Sequence, residues 1–240
     1  MNFPSNQGPS NQPNPFSYSS QPMSVADASV DVRMDFLRKT YSLFLAGILM
    51  AIVAGIVCLN VQAVFSLAAT IWRMPILAIG LILGGSIGAQ AVSRVEGLNY
   101  AALFGFTALI GFLFAPILLI YGGPIVTQAG VLSAIIFGAL TAYVFVTKKD
   151  FSFMGGMLFV GMVALILGGL VNAFFFKNSG MGYWMAWGSL LLSSGFVLYT
   201  TSTMLHDYDS KGYVSAALSL FVSFFNIFMS LLRILGGNRD

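Results

Sequence analysis

Charged residues are what this sequence has least of: Asp, Glu, Lys and Arg make up 8% of its 240 residues, where soluble domains carry roughly 25%. Hydrophobic residues make up 58% and the mean hydropathy is +0.87. A water-soluble core of this size cannot hide so much apolar surface, which excludes an ordinary soluble enzyme and makes the lipid bilayer the expected solvent. Cysteine and histidine are each present once, as Cys58 and His206. That excludes an intramolecular disulfide and any His/Cys cluster for zinc, haem or an iron–sulfur centre, so no metal and no cofactor is expected. The net charge of +3 is spread too thinly to mark a nucleic-acid partner.

Catalytic signatures are missing too. There is no HExxH, no GxSxG and no phosphate-binding glycine loop, and the glycines run through apolar stretches instead of joining a strand to a helix. An intramembrane serine protease needs a base at depth, and the single histidine ends its helix. The sequence does not read as an enzyme.

What is there divides in two. Residues 1–35 hold five of the eight prolines (Pro4, Pro9, Pro13, Pro15, Pro22) among Asn, Gln and Ser, and are expected to form a disordered cytoplasmic tail. They lack the basic start and short apolar run of a signal peptide. The tail leads into a mixed-charge stretch, Asp27, Asp31, Arg33, Asp35, Arg38 and Lys39. Residues 36–240 are expected to form an all-α integral membrane domain.

From Tyr41 onward, charges fall in small groups between apolar segments of spanning length. About 20 residues at 1.5 Å each cross the hydrocarbon. The uncharged segments predict seven spans, near 41–62, 74–93, 98–120, 128–147, 153–175, 183–205 and 213–235, the third and fourth separated at Gly122, Gly123 and Pro124. Runs such as GILMAIVAGIVCL do not alternate in polarity, so helices are expected and not a β-barrel. With the N-terminus in the cytoplasm that side receives Arg33, Arg38, Lys39, Arg94, Lys148, Lys149 and Lys211. The far side then receives Arg73, Lys177, Arg233 and Arg239. Basic residues favour the cytoplasmic side, and an odd number of spans puts Asp240 outside.

Three features within the spans are candidates for function. In span two, Gly80, Gly84 and Gly88 share a face on which another backbone can pack closely. In span seven, Ser219, Ser223, Asn226 and Ser230 form one polar stripe that Arg233 extends, expected to face the bundle interior or a hydrated cavity. In span six, Ser193, Ser194, Thr200, Thr201, Ser202 and Thr203 supply an opposing hydroxyl wall. Its cytoplasmic end carries His206, Asp207 and Asp209, a candidate pH-sensitive cluster because histidine titrates near neutrality. No carboxylate lies mid-span.

The stretches GFVLYTTSTML, GYVSAALSLFVSFFNIFMSLLRILGG and YAALFGFTALIGFLFAPILLIY resemble the bacterial branch of the Bax inhibitor family, most of all its YccA-like members. The resemblance covers residues 36–237 and implies a bundle of six helices around a central seventh in the inner membrane. Family members are associated with calcium leak through paired aspartates, one after a Leu-Tyr step and one before an Asn-x-Phe element. Those positions are Thr200 and Ser223 in this sequence, so both carboxylates are absent. Two coupled carboxylates can share a proton or hold a cation, and two hydroxyls cannot. The YccA-like branch implies another role, modulation of an FtsH-type membrane protease in quality control, with that protease and the bilayer as partners.

Overall fold

The computed structural model describes residues 30–95, 97–176, 179–206 and 212–237, with eight α-helices among them and no strand. They are α1 (Val30–Asn60), α2 (Gln62–Trp72), α3 (Pro75–Val92), α4 (Asn99–Tyr121), α5 (Gly123–Thr147), α6 (Gly155–Val171), α7 (Ser179–His206) and α8 (Tyr213–Gly236). A single 3-10 turn precedes α6 and a π-helical turn, Asn172–Phe176, continues it. Among the described residues six segments are long and apolar enough to cross a bilayer: α1, α3, α4, α5, Ser152–Phe176 and α8. α7 has 28 residues, length enough for a crossing, but Ser, Thr, Gly, Tyr and Trp make it more polar. The protein is an all-α, multi-pass membrane bundle.

The expected spans correspond to α1, α3, α4, α5, α6, α7 and α8; α7 starts at Ser179 instead of residue 183, and three further differences matter more. α1 starts at Val30, so the expected boundary at residue 36 falls inside it; residues 1–29 lie outside the described structure. Its first turns are held by the Lys39–Asp35 ion pair (2.7 Å) and by Phe36, which is buried in the core. α5 starts at Gly123 instead of residue 128. Gly122 takes a φ of +82° to turn the chain, a conformation glycine adopts without strain, and Pro124 sits in the first turn, where its missing N–H costs nothing. α2 is the third: the residues between spans one and two coil into a separate helix that lies on α4. Its Trp72 indole N–H donates to the Leu113 carbonyl at 2.6 Å, next to the Pro116 turn of α4.

The core is built on α8, which packs against α7, α5, α1, α4 and α3. Half of its apolar window is buried, the largest share of any spanning segment, and thirteen of its residues are buried, among them Leu218, Leu220, Phe221, Ile227 and Leu232. Phe44 of α1 stacks on Phe137 of α5 (4.8 Å), and Phe224 of α8 meets both edge-on. Phe225 meets Phe114 of α4 at 4.7 Å. In a bilayer, burial against another helix gains no hydrophobic free energy over lipid, so shape and interhelical hydrogen bonds decide the packing. The outer faces carry Ile52, Ile56, Leu119, Val160 and Leu191, all exposed, as lipid contact requires.

The expected packing face of span two is corrected. A β-carbon at Gly80, Gly84 or Gly88 would meet nothing within 4 Å. The neighbouring Gly85 makes the contact, against Phe106 and Leu109, and small residues on both helices leave a shallow groove of about 330 Å³ lined by Gly85, Gly88, Ala101, Ala102 and Gly105. The close backbone approach lies elsewhere. A β-carbon on Gly111 of α4 would strike the Ala51 carbonyl of α1, while one on Gly55 would rest against the Gly111 carbonyl at 3.5 Å.

Candidate functional site

The polar interior is organised along α8 and begins with a residue the sequence reading passed over. Gln90, in the last turn of α3, accepts from the Ser215 hydroxyl through Oε1 and donates to the Ser219 hydroxyl through Nε2, both at 2.9 Å. Both ends of one amide are thereby used to hold α3 on α8. An uncharged amide inside an apolar run, one turn from a helix end, was the available sequence signal.

The expected serine stripe turns mostly inward upon its own helix. Ser219 donates to the Ser215 carbonyl (3.0 Å), Ser223 to the Ser219 carbonyl (2.9 Å) and Ser230 to the Asn226 carbonyl (2.7 Å). Ser230 also lies 3.0 Å from the Ser189 hydroxyl of α7, a link between the two helices. Back-bonding of this kind satisfies a hydroxyl without any cavity or partner. Asn226 and Arg233 differ, since both are exposed. Asn226 lines a partly enclosed cavity of about 270 Å³ with Ser86, Ser189 and Ser193 and apolar side chains of α3, α4, α6, α7 and α8.

Thr200 and Ser223 are both buried, at 6% and 5% exposure, on helices that pack together. Near Thr200, the Tyr41 hydroxyl of α1 faces those of Thr141 on α5 and Thr201 on α7. None of the three is in hydrogen-bonding geometry with a protein partner. Ser202 clasps the turn between α5 and α6, accepting from the Phe151 N–H at 2.8 Å. His206 ends α7 with only its backbone described, and Asp207 and Asp209 lie outside the described residues. Among the described residues no three His, Cys, Asp or Glu side chains are grouped to hold a metal.

The ends of the bundle are tied in a consistent way. On one side Tyr100, opening α4, hydrogen-bonds Tyr213, opening α8 (3.0 Å), and Lys39 of α1 sits over the Tyr213 ring. On the other, Gly236 at the end of α8 touches Tyr121 at the end of α4, and Gly237 lies against Tyr183 near the start of α7.

The sequence profile of the family described as "Inhibitor of apoptosis-promoting Bax1" matches residues 33–240. The chain is 35% identical to mouse Protein lifeguard 4 over 214 residues, 88% of each chain. It is 33% identical to the Golgi anti-apoptotic protein of Vaccinia virus (strain Lister) over 238 residues, 98% of each. It is also 33% identical to the Modulator of FtsH protease YccA of Escherichia coli K12 over 214 residues, 85% of this chain and 91% of that one.

Proposed function

Because this chain belongs to the Bax inhibitor family and is YccA-like, we propose that it is a non-catalytic regulator of the bacterial inner membrane that slows proteolysis by an FtsH-type protease. The observation that carries this reading is the similarity to a named FtsH modulator over 85% of the chain. That similarity accompanies an interior in which both family carboxylate positions are buried hydroxyls.

The proposed architecture is seven crossings around α8, with the N-terminus in the cytoplasm. The end contacts support it. The starts of α4 and α8 meet Lys39 of α1 on one side, and the ends of α4 and α8 meet the start of α7 on the other, as an alternating path through the bilayer requires. The proline-, Asn- and Gln-rich sequence of residues 1–29 is our candidate handle for a cytoplasmic motor, while the close α1–α4 crossing would resist extraction. In cells carrying an FtsH-type protease, pulse-chase decay of one of its membrane substrates should slow when this protein is overproduced. Unchanged decay would remove the proposal.

A calcium leak needs something the interior lacks. Thr200 and Ser223 carry no charge near neutral pH, and the Ser223 hydroxyl is committed to the Ser219 carbonyl. In liposomes loaded with a calcium dye, the parent should give weak flux nearly independent of pH between about 6 and 8, any residual dependence being lost in His206→Ala. T200D with S223D should introduce a pH dependence, because it places titratable carboxylates on two packed helices, and carboxylates that interact titrate as a coupled pair. Strong pH-gated flux through the parent that persists in His206→Ala would favour a cation leak over regulation of proteolysis.

A further inference from the structure

The cavity beside Asn226 has a composition that selects its occupant. Its walls are apolar: Ile82 and Leu83 from α3, Phe106 and Ile110 from α4, Met162, Leu165 and Ile166 from α6, with Phe225 from α8. No charged residue lines it, so a cation or an anion would enter without a counter-charge, at a large desolvation cost. Ser86, Ser193 and Asn226 point to a ligand, because none of their side chains is hydrogen-bonded to another described residue. Ser193 is only 3% exposed and Asn226 is open to the cavity. An idle carboxamide at this depth costs free energy that a hydrogen-bonding guest recovers.

The route in is set by the helices. α3 and Ser152–Phe176 are the two least buried spanning segments, 11% and 6% of their windows, and α3 makes no extended contact with α6. The lining residues lie near the middle of their helices, so an opening between α3 and α6 at this depth would face lipid hydrocarbon and not bulk water.

We propose that this cavity binds a small neutral amphiphile, an aliphatic chain ending in one hydroxyl or amide, which enters from the bilayer between α3 and α6 and hydrogen-bonds Asn226 and Ser193. At about 270 Å³ the space falls just below the range of drug-sized sites, which run from about 300 Å³ upward, so it takes a short chain and not a whole phospholipid. Occupancy does not depend on whether the protein acts on a protease.

The test uses the full chain in lipid nanodiscs and a photoreactive octanol carrying a diazirine, with labelled residues mapped by mass spectrometry. Label is expected on cavity residues such as Met162, Phe196 and Phe225 in preference to the lipid-facing Ile52 and Ile56. Unlabelled octanol should compete better than octane or octanoate. Asn226→Leu should weaken octanol competition about three- to tenfold, the share of one hydrogen bond. Met162→Phe, which fills the space without touching a polar group, should abolish the preference and carries the test if Asn226→Leu does not fold. Label spread evenly over lipid-facing positions, or octane competing as well as octanol, would overturn the proposal. A cavity that holds only water and takes no label would do the same.

Discussion

At the scale of single residues, chemistry was easier to find than pairing. The Ser219, Ser223, Asn226 and Ser230 spacing was visible as a stripe on one helical face, yet periodicity says nothing about whether a hydroxyl reaches across to a neighbour or back to its own carbonyl. Three of the four hydroxyl or amide positions took the local option, only Ser230 of these also donating across to another helix, at Ser189, and the two-bond link from α3 to α8 fell to Gln90, which has no repeat to announce it. Replacing it tests that role. Gln90→Leu should destabilise the protein in detergent by about 1 kcal/mol, since interhelical hydrogen bonds in membranes are each worth roughly 0.6 kcal/mol. A double-mutant cycle with Ser215→Ala should show a positive coupling energy. Additive effects would mean that the hydrogen bond between Ser215 and Gln90 contributes nothing to stability.

At the scale of elements, the spans were legible because hydrocarbon thickness fixes their length, and their ends were less so. α5 begins five residues before the expected start because Gly122 and Pro124 terminate one helix and open the next in the same few residues. α2 went unseen because an apolar stretch with no charge looks like a continuation of the preceding span until Val61 breaks the helix. Glycine spacing misled for a related reason: a G-x-x-x-G face on α3 marks a surface that permits close approach, and whether a partner arrives is decided by the other helix. The thermal stability of two variants separates these surfaces. Gly111→Ala should lower stability by about 1–3 kcal/mol, because its β-carbon collides with the Ala51 carbonyl of the facing backbone and neither helix can yield without moving. Gly84→Leu should melt close to the parent, since its β-carbon meets nothing within 4 Å. The reverse order would mean that α3, and not the α1–α4 crossing, is the close-packed face.

At the scale of the whole molecule, the composition announced a membrane protein from the first count of charges, and the similarity to Bax inhibitor proteins extends over residues 33–240. What the sequence could not convey was how the bundle is stitched at its two ends, because Tyr100 with Tyr213 and Tyr121 with Gly236 are pairs separated by more than a hundred residues. Those ties run α4 and α8 in the same direction, as the proposed seven crossings require. Reporter fusions at residues 30 and 240 should therefore read cytoplasmic and non-cytoplasmic, respectively, and a cytoplasmic signal from both would mean that one segment enters and returns. The functional claim rests on regulation of proteolysis, and it is tested most directly by reconstitution. A purified FtsH-type protease in proteoliposomes, supplied with ATP and a separate membrane substrate, should degrade that substrate more slowly as the full-length protein is added. The effect should weaken when residues 2–29 are deleted. A degradation rate that stays constant at every ratio of this protein to protease would contradict the account.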